Sequence, residues 1–220
     1  MNIIQVNNVT KKYGSGTAVV YALDNVSLEI EKGEFIIITG ASGSGKTTLL
    51  NIIGGLDNPD HGQVYINDCN ITSLSANDLT IFRRRNIGYV FQKLNLLSML
   101  TVYENITLPA IFDHRKVDPQ YIMELAELLG VKDKLYESTG LLSGGEQQRV
   151  AILRSLLLRP SIILADEPTG NLDTKNRDSV IELFNEINEK YQQTIIMVTH
   201  DTQLLKKASR VIRLIDGKII

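Results

Sequence analysis

The sequence predicts an α/β protein with a mainly parallel sheet flanked by helices, and three observations support this fold class. Three continuous apolar runs, at residues 35–38, 162–165 and 195–198, have the composition of strands buried on both faces of a sheet. Stretches with helical spacing of apolar residues separate these runs. The glycine-rich segment at residues 40–47 joins the first run to a helical stretch, an order typical of a phosphate-binding loop.

The length and hydrophobic content are sufficient for one large domain, and the charge and hydropathy argue against a nucleic-acid-binding protein and a membrane-spanning chain. The chain has 220 residues, 43% of them hydrophobic, which allows a substantial core. A net charge of −2 and a pI of about 6.0 argue against a nucleic-acid-binding protein, and three consecutive arginines at 83–85 are interpreted as a solvated face. Cys69 is the single cysteine, and no apolar run approaches the ~18 residues that span a bilayer. We therefore expect a soluble chain that reaches a membrane only through a partner.

The first ninety residues predict an antiparallel β unit followed by a helix and a strand. Alternating apolar residues predict strands over residues 3–9 and 19–30, and an Asn-Asp pair at 67–68 predicts a hairpin turn. Residues 77–84 have the pattern of a short helix, and residues 87–91 have that of a strand. The stretch that follows, to about residue 158, is predicted to be mostly helical.

Two helices are predicted within that stretch. Asp118 can cap a helix that has Pro119 at its first position and ends at Gly130. A second helix is predicted over residues 146–158, and it stops before Pro160.

The α/β pattern returns in the last sixty residues. Helices are predicted at 174–190 and 201–207, and a hairpin around an Asp-Gly pair at the end of the chain. The chain is therefore expected to be a single domain of residues 1–220. We expect its catalytic core, together with the β subdomain, to comprise residues 1–92 and 159–220. The helical subdomain is expected at about 93–158.

The phosphate loop, residues 40–47, follows the pattern G-x-x-x-x-G-K-[ST]. Its glycines let the backbone N–H groups approach an anion closely, and the helix that follows adds its positive dipole end. The lysine can reach the β- and γ-phosphates of a nucleotide, and the threonine can bind Mg²⁺. The predicted nucleotide-binding residues here are Gly40, Ala41, Ser42, Gly43, Ser44, Gly45, Lys46, Thr47 and Thr48.

Two further apolar strands end in polar residues, and ligands bind at such strand ends in an open parallel sheet. Asp166 is expected in the Mg²⁺ coordination sphere, because Mg²⁺ prefers hard oxygen ligands. Glu167 can orient or deprotonate the attacking water. His200 can hydrogen-bond the γ-phosphate or that water, although a histidine at a strand end is often an ordinary turn residue.

A second anion site is predicted at the signature turn, residues 143–146. Ser143 and Glu146 have the spacing of a capping box, which is a purely structural explanation. Gly144 and Gly145 then occupy the first helical positions, where a cap alone does not require them. Close approach to a ligand does require them, but the residues alone do not indicate whose phosphate is bound.

Together these motifs resemble the ATP-binding-cassette family, over essentially all 220 residues and in the family's order. The resemblance implies a P-loop NTPase core that binds ATP and Mg²⁺, with residues 40–47 as Walker A and Asp166 and Glu167 in Walker B. It implies that Gln92 contacts Mg²⁺ and signals to a membrane partner, and that His200 is the switch histidine. It also implies a D-loop at Asp173 and an adenine-stacking aromatic at Tyr13.

The family resemblance also implies an assembly. Two cassettes dimerise head to tail, so that the phosphate loop of one chain meets the signature turn of the other, and one copy of each motif favours a homodimer. Segments 54–57, 90–97 and 164–173 are similar to the branch for macrolide export, lipoprotein release and antimicrobial-peptide resistance. We thus expect an ATPase held at the cytoplasmic face of the membrane by a transmembrane permease.

Two alternative functions are weighed against this one. Soluble cassette ATPases that act on nucleic acid or ribosomes carry coiled-coil insertions or two cassettes, and neither is present here. A regulatory module that binds ATP and scarcely hydrolyses it does not need Glu167 and His200. The apolar residues between 94 and 109 exceed what a small subdomain needs to bury, and the resemblance implies that they receive a helix of the permease.

Overall fold

The computed structural model describes residues 1–14, 18–170 and 172–220, which form two sheets and a group of helices. The strands are β1 (Asn2–Tyr13), β2 (Val20–Glu31), β3 (Phe35–Thr39), β4 (His61–Ile66), β5 (Cys69–Asn70), β6 (Ile87–Val90), β7 (Ile162–Asp166), β8 (Thr194–Val198), β9 (Arg210–Ile215) and β10 (Lys218–Ile219). The α-helices are α1 (Lys46–Ile53), α2 (Ala76–Asn86), α3 (Val102–Phe112), α4 (Pro119–Leu128), α5 (Gly144–Leu156) and α6 (Thr174–Tyr191).

The larger sheet has six strands in the order β10-β9-β3-β8-β7-β6, and all neighbours except β10 are parallel. The three apolar runs are its central strands, as predicted. Because β3, β8 and β7 are adjacent and parallel, their carboxyl ends meet at one edge of the sheet. The α/β fold class is confirmed, and this edge is where the candidate site lies.

Hydrophobic cores cover both faces of the six-stranded sheet. Side chains alternate along a strand, so Phe35 and Ile37 face the helices α3 to α6, whereas Ile36 and Ile38 face α1 and the smaller sheet. All four side chains are at most 2% exposed. Burial on both faces explains why the sequence of β3 is continuously apolar rather than alternating.

The smaller sheet is antiparallel, in the order β2-β1-β4-β5, as the sequence predicted. The β4–β5 turn uses Asn67 and Asp68, whose φ angles of 49° and 61° suit a two-residue hairpin. This sheet packs on the side of the larger sheet that carries α1, and β1 ends at Tyr13.

The helical stretch differs from its prediction in one element. Helices α4 and α5 were predicted, and Asp118 accepts a hydrogen bond from the backbone N–H of Gln120 as its cap. Helix α3 was not predicted, although Thr101 and Glu104 form a complete capping box at its start. Pro109 lies within α3. Because proline is unfavourable inside a helix, its position in the sequence argues against a helix there.

The predicted helix at 201–207 is a 3₁₀-helix, Thr202–Lys207, which has i→i+3 rather than i→i+4 hydrogen bonds. Across residues 1–14, 18–170 and 172–220, no helix is both long and apolar enough to cross a membrane.

Candidate functional site

The phosphate loop connects β3 to α1 and leaves the start of that helix open. Gly45 occupies the N-cap position with φ 100°, and no side chain caps α1. A Cβ on Gly45 would lie 2.1 Å from the carbonyl oxygen of Ala22, so only glycine fits there. The first N–H groups of α1 therefore remain free of side-chain caps, which suits an anionic ligand.

Two polar side chains of the phosphate loop point inward. The ammonium group of Lys46 donates to the carbonyl oxygens of Gly40 at 3.0 Å and Ala41 at 2.8 Å, and Lys46 is only 7% exposed. The hydroxyl group of Ser44 is buried and has no hydrogen-bond partner among the described residues. A buried cation and an unpaired buried hydroxyl within a glycine-rich cradle fit the phosphates of a nucleotide.

Asp166 lies at the end of β7, beside the phosphate loop. The hydroxyl of Thr47 donates to its carboxylate at 3.1 Å. Burial raises the pKa of Asp166, and the negative charge of Glu167 raises it further. A half-buried carboxylate and a hydroxyl in contact are the hard oxygen ligands that Mg²⁺ prefers, so these residues fit that ion.

Glu167 follows Asp166 in a left-handed backbone conformation, with φ 44°. Its N–H is fixed by the carbonyl oxygen of Val198, at 3.0 Å, on the neighbouring strand β8. Its carboxylate lies 3.1 Å from Nδ1 of His200 and accepts a 3.5 Å hydrogen bond from the amide of Gln92. Non-glycine residues with positive φ concentrate at functional sites, and here the conformation sets a carboxylate between two polar groups.

The signature turn begins α5 and is closed by its own side chains. Glu146 accepts hydrogen bonds from the backbone N–H of Ser143 at 2.8 Å and from the Ser143 hydroxyl at 2.7 Å. These bonds lower the pKa of the Glu146 carboxyl. A Cβ on Gly145 would lie 3.1 Å from Oδ1 of Asn176, which gives that glycine a packing reason as well, whereas a Cβ on Gly144 would meet no described atom within 4 Å.

The signature turn and the phosphate loop do not meet within the chain. Throughout the described residues, no hydrogen bond or ion pair joins residues 143–146 to residues 40–47. The signature turn instead shares a cavity of about 320 Å³ with Gln92 and Glu167, into which Gln148 also projects. Within the described part of the chain, the two predicted anion sites therefore share no hydrogen bond or ion pair.

Tyr13 and Asp173 lie at the margins of this region. The Tyr13 hydroxyl donates to Asp57 at 2.6 Å, and Lys11 binds the other carboxylate oxygen of Asp57 at 2.6 Å. Tyr13 is 46% exposed, so one side of its ring is available for stacking. Asp173 caps α6 through the N–H of Asn176. Asn171, part of a predicted motif segment, lies outside the described residues.

The contacts of Tyr13 with Asp57 and Lys11 were not predicted from the sequence. Asp57 is 44 residues from Tyr13 along the chain, and the two side chains meet because β1 ends next to the turn after α1. Burial alone would raise the pKa of Asp57, but the hydrogen bonds from Lys11 and Tyr13 lower it. Asp57 was recognised only as part of a branch-specific segment, and no sequence signal links it to Tyr13.

Comparisons with known proteins show which family this chain is similar to. The family model described as ABC transporter matches residues 23–170. An uncharacterised ABC transporter ATP-binding protein of Methanocaldococcus jannaschii is 47% identical over 99% of this chain and 98% of its own length. A macrolide export ATP-binding/permease protein, MacB of Hyphomonas neptunium, is 42% identical over 99% of this chain, which spans 34% of that relative.

Solved structures of the same kind of protein have this fold. A dimeric structure of a post-hydrolysis state of the ATP-binding cassette MJ0796, bound to ADP and Pi, matches with a TM-score of 0.87 and 42% identity. The match covers 98% of this chain and 96% of that one. A second dimeric structure of the MJ0796 cassette matches with a TM-score of 0.88, 43% identity and the same coverage.

Proposed function

This chain belongs to the ABC transporter family and is an ATPase, and on that premise we propose that it is the nucleotide-binding subunit of a transporter. We infer that two copies close head to tail around two MgATP and drive a separate transmembrane permease. The permease holds the subunit at the cytoplasmic face of the membrane. The branch is that of macrolide export, lipoprotein release or peptide resistance, and the similarity to macrolide export proteins supports it.

The observation that carries the dimer is the separation of the two anion sites. The phosphate loop already has the cation, hydroxyls and open helix end that phosphates require. The signature turn is another helix start with two glycines, yet among the described residues no hydrogen bond or ion pair joins it to that loop. A second copy supplies the missing half of each site, and the dimeric cassette structures support this arrangement.

In the proposed site, each side chain acts on ATP bound to the phosphate loop. Lys46 and the backbone N–H groups of the loop bind the phosphates, and Tyr13 stacks on adenine. Thr47, Asp166 and Gln92 hold Mg²⁺, which neutralises charge on the phosphates when it is bound. The signature turn of the second copy, Ser143 to Glu146, contacts the γ-phosphate, and Asp173 lies at the dimer interface.

The proposed chemistry is attack of water on the γ-phosphate. Glu167 accepts a proton from that water or orients it, because its carboxylate is fixed at the strand end. His200 holds the Glu167 carboxylate and contacts the γ-phosphate. Gln92 donates a hydrogen bond to the same Glu167 carboxylate, and it lies where the helical stretch begins. A change at Glu167 during hydrolysis can therefore move the helical stretch and, through it, the permease.

The proposed permease dock is the lateral groove, a cleft of about 550 Å³ between α2, β6, α3 and α5. Its apolar lining includes Leu56, Ile87, Phe91, Leu108, Pro109 and Phe112. The predicted stretch 94–109 contributes Leu108 and Pro109 to this lining, whereas Val102 and Ile106 are buried in the core. An apolar cleft of this size suits the face of a short helix.

Two neighbouring residues of α3 test the dock. Phe112 lines the lateral groove and is 64% exposed, whereas Ile111 is 60% exposed and lies outside the groove lining. Phe112→Glu is expected to abolish co-purification with the membrane partner from detergent-solubilised membranes, and Ile111→Glu is the matched control that retains it. Equal co-purification of both variants, or salt-dependent binding of DNA by the wild-type chain, would argue against the proposed function.

A further inference from the structure

An arginine near the start of α6 joins that helix to the histidine loop, residues 199–201. Nη1 of Arg177 donates to the carboxylate of Asp201 at 2.7 Å, and Nη2 donates to the side-chain oxygen of Gln203 at 2.9 Å. The side chains of Arg177 and Asp201 are only 19% and 20% exposed. Solvent therefore screens this ion pair less than one at the open surface, and its charge-assisted hydrogen bonds are correspondingly stronger.

The position of Arg177 is unfavourable for a cation if α6 is considered alone. Asp173 is the N-cap of α6, so Arg177 closes the first turn of the helix, where the helix dipole favours negative charge. The first turn contains no acidic residue that would offset the arginine. Its carboxylate partners come from the next turn, where Asp178 lies 3.1 Å from Nε, and from the histidine loop. The contact with the histidine loop therefore explains an arginine that the helix itself does not favour.

The histidine loop is anchored on both sides of His200. Before the histidine, the backbone N–H of Thr199 donates to a carbonyl oxygen of β3 at 3.2 Å. After it, the carboxylate of Asp201 is held by Arg177. The His200 side chain is 67% exposed, so packing does not hold its ring. Its place 3.1 Å from the carboxylate of Glu167 therefore depends on where the backbone of the histidine loop lies.

The same end of α6 contacts the helix of the signature turn. The hydroxyl of Ser179 accepts a hydrogen bond from Arg149 of α5 at 2.7 Å, and Asn176 lies against Gly145. Asn176 and Ser179 are three residues apart and share one face of α6, whereas Arg177 extends from another side to the histidine loop. A shift of α5 can therefore reach the histidine loop through α6.

We propose that Arg177 is a positioning residue for ATP hydrolysis, which fixes the histidine loop to α6 and makes the contact of His200 with Glu167 depend on the position of that helix. This role rests on the proposed function, in which Glu167 acts on the attacking water and His200 holds its carboxylate. Arg177 acts on these two residues through Asp201. A cavity of about 170 Å³ is lined by all four side chains, so the histidine loop has room to shift when the ion pair is lost.

Steady-state kinetics of the whole chain test this role. Arg177→Met keeps the aliphatic stem and removes the hydrogen bonds, and it is expected to lower kcat for ATP by about tenfold, because small displacements of catalytic groups slow reactions strongly. ATP affinity of the monomer should stay unchanged. Arg177→Lys should recover part of the loss, since lysine keeps the charge but cannot contact Asp201 and Gln203 with a planar fork. Lys190→Met is the matched control with wild-type kcat, because Lys190 pairs with Glu124 at the other end of α6.

Further variants show whether Arg177 acts through the histidine loop. In a His200→Ala background, Arg177→Met is expected to cause no additional loss of kcat, because the effects of residues that act as a unit do not add. Asp201→Asn provides a second route to the same break. Asparagine can still accept from the backbone N–H of Gln203 as a cap, but it has no charge to pair with Arg177, so its kcat should match that of Arg177→Met. Losses that multiply when Arg177→Met and His200→Ala are combined would overturn the inference.

Ring signals of the histidines in NMR spectra give a readout that a general loss of stability does not produce. The chain has three histidines, His61, His114 and His200. In protein labelled with ¹³C-histidine and free of nucleotide, Arg177→Met is expected to shift the signal of His200 and to leave the other two in place. An unmoved His200 signal, or equal shifts of all three, would contradict a positioning role.

Turnover of the single variants separates this inference from the proposed function. A large loss in His200→Ala together with wild-type kcat in Arg177→Met would overturn the inference alone. Wild-type turnover of His200→Ala would overturn the proposed role of His200 and, with it, the inference. The expected pattern is a large loss in His200→Ala, about a tenfold loss in Arg177→Met and no loss in Lys190→Met.

Discussion

The starts of α1 and α5 are both helix N-termini with glycines, yet they are prepared for anions in opposite ways. In the part of the chain that the structure describes, no side chain caps α1, and a cation and an unpaired hydroxyl lie within its loop. Helix α5 is capped by its own Ser143 and Glu146, and the carboxylate of Glu146 lies where an anion would bind. The first is a binding site within one chain. In the proposed assembly, the second is half of a site and binds phosphate only when another molecule brings the phosphate to it.

The largest expected effect is a loss of ATP turnover, without a loss of ATP binding, when Glu167 is replaced. Glu167→Gln keeps the size of the side chain and a hydrogen bond to His200 but removes the base. General base catalysis contributes about 10²–10⁴-fold, so steady-state ATP turnover should fall by about that factor while ATP binding persists. Glu182→Gln, on the middle of α6, is the matched control. Turnover near the wild-type rate would show that Glu167 has no such role.

The phosphate loop is expected to bind ATP without help from the signature turn. Lys46→Ala should weaken ATP binding to the monomer by about tenfold to a hundredfold, because it removes a charge-assisted contact with phosphate. Equilibrium binding of a fluorescent ATP analogue measures this, with Lys132→Ala as a control at an exposed position. Thermal unfolding of the variant checks that the fold is intact, and unchanged affinity in a folded protein would contradict the assignment.

The signature turn is expected to behave in the opposite way. Ser143→Arg places a bulky cation at the start of α5, which should block closure against a second chain and reduce turnover by about tenfold or more. ATP affinity of the monomer should stay unchanged, since residues 143–146 do not contact the phosphate loop of their own chain. If Ser143→Arg lost monomer binding as badly as Lys46→Ala, the assignment of the two sites to different chains would fail.

The smallest effect concerns the charge within the signature turn. Glu146→Gln can keep the capping box, because glutamine also accepts from the N-cap N–H, but it removes a negative charge beside the incoming phosphate. Charges at a helix terminus are worth about 0.3–1 kcal/mol, so ATP-driven dimerisation should strengthen about two- to fivefold. Glu127→Gln, elsewhere in the helical stretch, should have no effect. The gain should shrink at high salt, and a loss of dimerisation would mean that the carboxylate itself is required.

The contrast between the two helix starts also shows what the sequence could predict. The phosphate loop and the strand ends were predictable because fixed residue types follow buried strands, and parallel strands bring Asp166 and Glu167 to the same edge. The spacing of Ser143 and Glu146 predicted the capping box. It did not predict the further hydrogen bond from the Ser143 hydroxyl to the Glu146 carboxylate, because that contact between two side chains is not part of a capping box.

Other features depended on contacts between distant segments. Helix α3 was missed because Pro109 lies inside it and its apolar residues have little amphipathic pattern. Asp57 reaches Tyr13 only through the packing of β1 against the turn after α1. The prediction of a solvated face at residues 83–85 holds for the exposed Arg85 and was wrong for Arg83 and Arg84, which are half-buried. Their carbonyl partners and Asp113 are more than twenty residues away along the chain. Local patterns therefore predicted elements and motifs, whereas tertiary packing decided how charged side chains are paired.

The claim that each ATP is held between the phosphate loop of one chain and the signature turn of another is tested most directly by sedimentation of Glu167→Gln. Without nucleotide this variant should sediment as a monomer, and saturating MgATP should convert it to a dimer that persists because hydrolysis is slow. The double variant Glu167→Gln, Ser143→Arg should bind ATP and remain a monomer. A Glu167→Gln protein that stays monomeric in MgATP at high concentration, or a double variant that dimerises equally well, would contradict the account.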